Sequence, residues 1–257
     1  MTPVDLAYAE EGPGEAVVLV HAIGCDRAMW DGVAPALAKR FRVVRVDVRG
    51  HGRSPATARP YSLAGLADDV ARTLDRLAIG RAHWVGLSMG GMIGQAFALA
   101  HGARLGGLVL ANTTSSYGSE GREMWEARAK AVKEGGMAAI ADLAMTRYFS
   151  DAFRERCPGV VAGVRARFLA TDPRGYIGCC DAIRELDFTA QLSRIGAPTM
   201  VISGEKDAGT PPAMSEVMAA RIPGARMAVI AGAAHLSAVE YPAEFGILVG
   251  DFLASVR

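Results

Sequence analysis

The sequence predicts an α/β protein: a mostly parallel sheet flanked by helices, with a block of helices inserted near the middle of the chain. Three observations carry this. Short apolar β-rich runs alternate with stretches of helical period towards both ends of the chain. Strand signals vanish between about Ser119 and Asp187, where only helical stretches remain. A glycine-rich turn at Gly86–Gly91 joins a short strand directly to a long apolar helix. A chain of 257 residues can bury one large core that tolerates such an insertion.

Taken in order, the first strands fall at Asp5–Ala9, where Leu6 and Tyr8 alternate, and at the continuous apolar run Val17–Val20. A helix near Val33–Lys39 leads to a strand at Arg42–Val46. Apolar residues at Leu63, Leu66, Ala67, Val70, Leu74 and Leu77 mark a helix over Leu63–Leu77. A strand at Ala82–Leu87, a buried helix at Met89–His101 and a strand at Leu105–Ala111 follow. Helical stretches then occupy Glu120–Glu134, Met137–Arg147, Val160–Thr171 and Pro173–Glu185, punctuated by Gly135-Gly136, Pro158 and Pro173. Alternation returns with the strand Thr199–Ser203, the helix Pro212–Ile222, the strand Arg226–Ile230 and a last helix from Pro242 to Leu253. The simplest organisation is a discontinuous core, residues 1–115 and 193–257, interrupted by a helical cap at 116–192.

The bulk composition excludes several classes. Half of the residues are apolar (51%), 21% are charged and the net charge is +1. That balance offers no electrostatic attraction for nucleic acid or an anionic membrane. No apolar run approaches the length of a bilayer-spanning helix. The start, Met1-Thr2-Pro3-Val4-Asp5-Leu6, lacks the basic and apolar regions of a secretory signal. Four cysteines, two adjacent at Cys179 and Cys180, form neither a disulfide framework nor a zinc-ligand pattern. The expectation is a cytoplasmic enzyme with reduced thiols, no metal, no cofactor, and a small molecule as its partner.

The chemistry is concentrated in Gly86-Leu87-Ser88-Met89-Gly90-Gly91. In a G-x-S-x-G turn, glycines let strand and helix backbones approach closely, and the serine hydroxyl is lifted clear of the sheet. The following amides lie at a helix N-terminus, which favours developing negative charge. Five characters are too few to be diagnostic alone. Here, however, Val85 ends a β-rich run and a long Ala/Phe/Leu helix begins immediately afterwards. Ser88 is therefore the candidate nucleophile.

A serine hydroxyl needs an adjacent base, and that base needs a carboxylate to hold its tautomer. On this kind of turn the acid and then the base follow the serine along the chain. Asp207 leaves the strand Thr199–Ser203 in the loop Gly204-Glu205-Lys206-Asp207, and His235 leaves the strand Arg226–Ile230 in the loop Gly232-Ala233-Ala234-His235. Both sit beyond carboxyl ends of late strands, where open α/β sheets bind ligands. Glu205 is the rival acid, but Asp207 lies further out. Among the other histidines, His21 and His51 follow early strands, His83 lies within a strand and His101 ends a helix. Acyl transfer also needs oxyanion donors. The Met89 amide is the natural first, and the Ile23 amide, after Val17–Val20, the second.

These residues resemble the α/β-hydrolases. Asp47-Val48-Arg49-Gly50-His51-Gly52-Arg53-Ser54 is similar to that superfamily's D-x-R-G-x-G-x-S loop. Within the cap, Met124-Trp125-Glu126-Ala127-Arg128, Gly135-Gly136-Met137 and Ala170-Thr171-Asp172-Pro173-Arg174-Gly175-Tyr176-Ile177-Gly178-Cys179-Cys180-Asp181-Ala182-Ile183-Arg184 resemble the 3-oxoadipate enol-lactonases. The resemblance implies an α/β-hydrolase fold, Ser88, Asp207 and His235 as the triad, no cofactor, and hydrolysis of a small carboxylate-bearing enol-lactone in aromatic-acid catabolism. A carboxylesterase or C–C bond hydrolase would use the same triad. One segment departs from the pattern: Val20-His21-Ala22-Ile23-Gly24 is neither the Ser-Asn-Ser-Leu-Gly of enol-lactonases nor the His-Gly of many hydrolases. Ala22 thus replaces a glycine that could take positive φ freely.

An anionic substrate needs a cation. Trp125 and Arg128 stand three residues apart on one helix face, and a guanidinium can hold a carboxylate through two hydrogen bonds. Arg147 is a second candidate, whereas Arg49 is expected to brace the loop after its strand. Met29, Met89, Met92 and Met124 either pack the core or line the pocket.

Overall fold

The computed structural model describes residues 2–256. Among these, seven strands form one sheet: β1 (Tyr8–Glu11), β2 (Ala16–Val20), β3 (Arg42–Val46), β4 (Ala82–Leu87), β5 (Leu105–Ala111), β6 (Thr199–Gly204) and β7 (Arg226–Ile230). Their spatial order is β1-β3-β2-β4-β5-β6-β7. All neighbours run parallel except β1, which pairs antiparallel with β3. Every residue of β2, β4, β5 and β6 is buried. That explains their unbroken apolar sequence, because a parallel strand covered on both faces has no solvent side to alternate towards.

The covering helices of the core are α1 (Ala34–Leu37), α2 (Leu63–Arg76) and α3 (Met89–His101), with three more after the insertion. Ser62 caps α2, its hydroxyl accepting from the Gly65 amide, which satisfies one of the free donors at a helix start. Between β5 and β6 the chain forms five helices: α4 (Gly118–Gly135), α5 (Ala138–Tyr148), α6 (Asp151–Arg156), α7 (Pro158–Leu169) and α8 (Pro173–Arg184). The chain then returns to the core through α9 (Pro212–Arg221), α10 (Ser237–Glu240) and α11 (Pro242–Ser255). Among the described residues, no helix is long and apolar enough to cross a membrane.

Most predicted strands coincide with observed ones; the first does not. β1 begins at Tyr8, not Asp5, because the preceding backbone is engaged elsewhere. The Val4 amide donates to Asp69 Oδ1 and the Ala7 amide to Ser54 Oγ. α6 was not anticipated, since six residues are too few to display a helical period. α7 starts at Pro158, two residues earlier than its apolar pattern suggests, because proline at a first helical position loses no hydrogen bond.

The insertion is seated on the core by close backbone contact. A Cβ on Gly175, at the start of α8, would lie 2.4 Å from the Gly50 Cα, and a Cβ on Gly50 would lie 2.3 Å from the Gly175 Cα. The Asp47–Ser54 loop is fixed beneath this contact. Arg49 is fully buried and pairs with Asp69 of α2 through Nε (2.8 Å) and Nη2 (2.5 Å). It also donates to Thr57 Oγ1 and the Thr2 carbonyl. The expected bracing role of Arg49 is the one observed.

Removing one partner of a buried ion pair strands the other charge without solvent. Arg49→Met should therefore lower unfolding free energy in urea by about 3–5 kcal/mol. The double variant Arg49→Met/Asp69→Leu should recover much of that loss.

Candidate active site

The elbow after β4 is built by steric exclusion. A Cβ on Gly86 would fall 2.1 Å from the Gly90 carbonyl oxygen, and one on Gly90 would fall 2.0 Å from the Val20 carbonyl oxygen. Only glycine lets α3 start this close to β2 and β4. The turn forces Ser88 to φ 56° and ψ −116°, a conformation rarely adopted by non-glycine residues. The backbone holds it there: the Ser88 amide donates to the Ala111 carbonyl (2.8 Å), and Thr113 Oγ1 donates to the Ser88 carbonyl (2.8 Å).

Asp207 and His235 meet behind this serine. His235 Nδ1 donates to Asp207 Oδ2 at 2.8 Å, which leaves the Nε2 lone pair free to accept a proton. The carboxylate is buried and heavily solvated by protein. Oδ2 also accepts from Asn112 Nδ2 (2.9 Å) and Thr210 Oγ1 (2.7 Å), and Oδ1 accepts from the amides of Gly209 (2.8 Å) and Thr210 (3.0 Å). Burial alone would raise its pKa. The adjacent His235 and these hydrogen bonds outweigh burial and hold it at about 2. Glu205, the rival acid, instead accepts from the Gly232 amide at 2.7 Å and shapes the loop leading to His235.

Ser88 and His235 line one pocket with Ile23, Tyr117, Met124, Trp125, Arg128, Arg147, Tyr148 and Gly209. Three residues singled out on the cap, Trp125, Arg128 and Arg147, thus converge on the predicted nucleophile. Among the described residues no hydrogen bond joins Ser88 to His235; the two side chains face the pocket together. Among the described residues neither the Ile23 amide nor, outside its own helix, the Met89 amide has a backbone hydrogen-bond acceptor; these are the two candidate oxyanion donors. The Met89 side chain, like that of Met92, is packed in the core. Met124 lines the pocket, and Met29 borders a separate cavity beside α7.

The loop carrying Ile23 is locked by histidines rather than by an additional glycine. His21 Nε2 accepts from the Val48 amide (2.9 Å) while its Nδ1 donates to the Ala22 carbonyl (2.7 Å). His51 Nε2 accepts from the Gly24 amide (3.0 Å) while its Nδ1 donates to the Arg49 carbonyl (3.2 Å). Burial lowers the pKa of both, that of His51 to about 3, keeping each ring neutral as this arrangement requires. The positive φ of the turn falls on Gly24 (70°), so Ala22 carries no such strain. Tyr148 of α5 donates to the Ile23 carbonyl, and its ring lies stacked over His235 at 6.0 Å.

The pocket wall is rich in donors and poor in acceptors. The Arg128 guanidinium rests over the rings of Trp125 (5.2 Å) and Tyr176 (5.7 Å), and Arg147 approaches Met124 Sδ at 3.7 Å. Neither arginine pairs with a carboxylate among the described residues. Among the described residues, Trp125 Nε1 and the Tyr176 hydroxyl are buried without a hydrogen-bond partner. Burial pushes the Tyr117, Tyr148 and Tyr176 hydroxyls up, so they remain protonated donors. Burial likewise pushes the Cys180 thiol up to about 12 and raises that of Cys179, which removes them as nucleophiles.

Sequence reasoning missed Asn112, Thr210, Tyr148 and Tyr176. Asn112, Tyr148 and Tyr176 act through neighbours distant in sequence, and Thr210 acts on Asp207 only because the loop after β6 folds back on itself. The only local hint was Asn112 itself, a polar residue directly at the end of an apolar strand.

This combination of fold and site is that of a hydrolase. The profile of the alpha/beta hydrolase family matches residues 17–246. 3-Oxoadipate enol-lactonase 2 of Acinetobacter baylyi is 34% identical over 244 residues, covering 94% of this chain and 90% of the relative. The crystal structure of the enol-lactonase from Burkholderia xenovorans LB400 superposes with a TM-score of 0.94 at 38% identity, covering 97% of this chain and 96% of that one. A thermophilic esterase from Thermogutta terrifontis, described as malate bound, gives 0.93 at 32% identity over 97% and 93% of the two chains. The chain belongs to the alpha/beta hydrolase family and is related to enol-lactonases and esterases.

Because the Asp207 pKa is depressed in the folded state, its ionised form favours folding. That contribution is complete above about pH 4 and disappears as pH falls through about 2. A shift of this size corresponds to about 2 kcal/mol. The difference in urea stability between wild type and Asp207→Asn should therefore shrink as pH is lowered from about 5 towards 2.

Proposed function

We propose that this protein opens a small carboxylate-bearing lactone by acyl-enzyme chemistry, most specifically 3-oxoadipate enol-lactone to 3-oxoadipate. The observation that carries the reading is the shared pocket. Ser88 and His235 line it together with Arg128 and Arg147, two guanidinium groups without carboxylate partners among the described residues. Positive charge lining the same pocket as a nucleophile favours an acyl group with a second, remote carboxylate. The A. baylyi and B. xenovorans enol-lactonases support the lactone. The malate described in the Thermogutta esterase supports a carboxylate-bearing ligand in a pocket of this fold.

In this mechanism Ser88 Oγ attacks the lactone carbonyl carbon as His235 Nε2 takes its proton. Asp207 steadies the imidazolium through Nδ1. The carbonyl oxygen becomes an oxyanion, held by the Ile23 and Met89 amides. Collapse of the tetrahedral intermediate breaks the ring C–O bond. The leaving oxygen departs as an enolate, takes the proton from His235 and tautomerises to the ketone. Water then attacks the acyl-serine, again giving its proton to His235, and the diacid leaves with Ser88 restored. Arg128 or Arg147 holds the remote carboxylate throughout, while Trp125 covers the ring.

A simple carboxylesterase activity is the second reading. It is favoured by the Val20–Gly24 segment, which departs from the enol-lactonase pattern at the oxyanion loop.

Three measurements test the proposal. Ser88→Ala should lose activity on the order of a million-fold. Wild type should open 3-oxoadipate enol-lactone faster than it cleaves p-nitrophenyl acetate; the reverse order retires the lactonase in favour of the esterase. Arg128→Gln should raise KM for the anionic lactone by roughly ten- to a hundredfold while leaving turnover of the neutral ester nearly unchanged.

A further inference from the structure

Asn112 is a non-glycine residue held at positive φ (45°), fully buried, immediately after β5. Its position satisfies the sheet: the Asn112 amide donates to the Ile202 carbonyl of β6 at 2.8 Å. Its side chain reaches two other loops. Nδ2 donates both to Asp207 Oδ2 (2.9 Å) and to the Ala234 carbonyl (3.2 Å), next to His235. Oδ1 accepts from Ser237 Oγ at 2.5 Å. One carboxamide thus uses both of its N–H groups and its oxygen on the loops after β6 and β7.

We infer that Asn112 is a positioning residue: locked by Ser237, it fixes the Asp207 carboxylate against His235 and limits how strongly that carboxylate holds the imidazole proton. The inference rests on the reading of Ser88, His235 and Asp207 given above. Its physical basis is competition at one oxygen. Oδ2 receives three donors, from Asn112, Thr210 and His235. Each donor stabilises the anion, and every donor other than His235 reduces its basicity towards the ring. Asparagine suits the position because aspartate would set two carboxylates against each other, and leucine would take one donor from Oδ2 and remove the Asn112 partner of the Ala234 carbonyl and of Ser237 Oγ.

The groups facing the His235 ring are Asp207 and Thr210 from the β6 loop, Tyr148 from α5, Arg128 from α4, Arg147 from α5 and Tyr117 ahead of α4. Glu240 of α10 accepts from the Ala234 amide at 2.6 Å. Of these side chains only Asp207 is hydrogen-bonded to the Asn112 side chain, so the Asp207 contact is the one that changing Asn112 removes directly.

The test uses Asn112→Gly, which accepts the positive φ freely and deletes only the side chain. The pH dependence of kcat/KM on p-nitrophenyl acetate is measured with the full chain. Titration of the residue 235 imidazole is followed in parallel by NMR, assigned through His235→Gln. With the Asn112 donor gone, Oδ2 holds the imidazolium proton more strongly. The acid limb and the NMR midpoint should both move up by about half a pH unit or more. kcat should fall about tenfold with KM changed less than twofold, as for a displaced reacting group. Ser237→Ala, which removes the lock on Asn112 Oδ1, should shift both in the same direction by less. An Asn112→Gly protein with a lower Tm but an unmoved NMR midpoint would overturn the inference and leave Asn112 as a structural bridge only. Retention of esterase activity by Ser88→Ala would instead defeat the reading on which it rests, whatever Asn112 does.

Discussion

The buried carboxylate of Asp207 is the charge around which one rim of the sheet is organised. An ionised group this deep persists only when its lost hydration is replaced. Here His235, Asn112, Thr210 and the Gly209 and Thr210 amides replace it. These donors come from the ends of β5, β6 and β7, so satisfying one anion fixes three loops relative to each other. The direction of His235 towards the serine elbow follows from that arrangement. The elbow itself rests on a separate constraint, the close backbone approach at Gly86 and Gly90. A rigid anion on one side and a strained turn on the other leave the intervening pocket little freedom.

The helical insertion supplies what the sheet lacks. The core offers the candidate nucleophile, base and oxyanion amides, a set that by itself would not choose among esters. Trp125, Arg128, Arg147 and Tyr148 come from α4 and α5 and bring positive charge and aromatic surface to the same pocket. Tyr148 joins the two parts. Its hydroxyl holds the Ile23 carbonyl, and its own carbonyl accepts from the Leu236 amide at 2.9 Å. Glu240 adds a further tie, accepting from Ser150 of the insertion and from Ala234 beside His235, each at 2.6 Å. Wall and reactive groups are therefore held in register by buried hydrogen bonds rather than by loose apposition.

Much of the fold was legible because parallel strands covered on both faces must be apolar and short, and the helices between them must be amphipathic or buried. β3, β4, β5 and β7 fall where those patterns place them. The edge strand β1 was displaced by three residues because its register is decided by partners elsewhere, at Asp69 and Ser54, which local alternation does not encode. The short helix α6 escaped for lack of a full period. In the oxyanion loop, Ala22 looked like an obstacle. Tertiary structure moves the positive φ to Gly24 and secures the loop with two neutral histidines that sequence reading had set aside.

By itself the sequence determined the α/β class, the strained serine turn and the identity of the acid and base candidates. Each of these is written in local residue chemistry: glycines where backbones must touch, and polar residues at the ends of apolar strands. Only the tertiary structure decided that Arg128 and Arg147 line the Ser88 pocket without carboxylate partners among the described residues, and that Asn112 and Thr210 share the Asp207 carboxylate with His235. Those facts depend on which distant segments become neighbours, and on which donors remain unpaired once every other group has been satisfied. Spacing along a chain does not record either quantity.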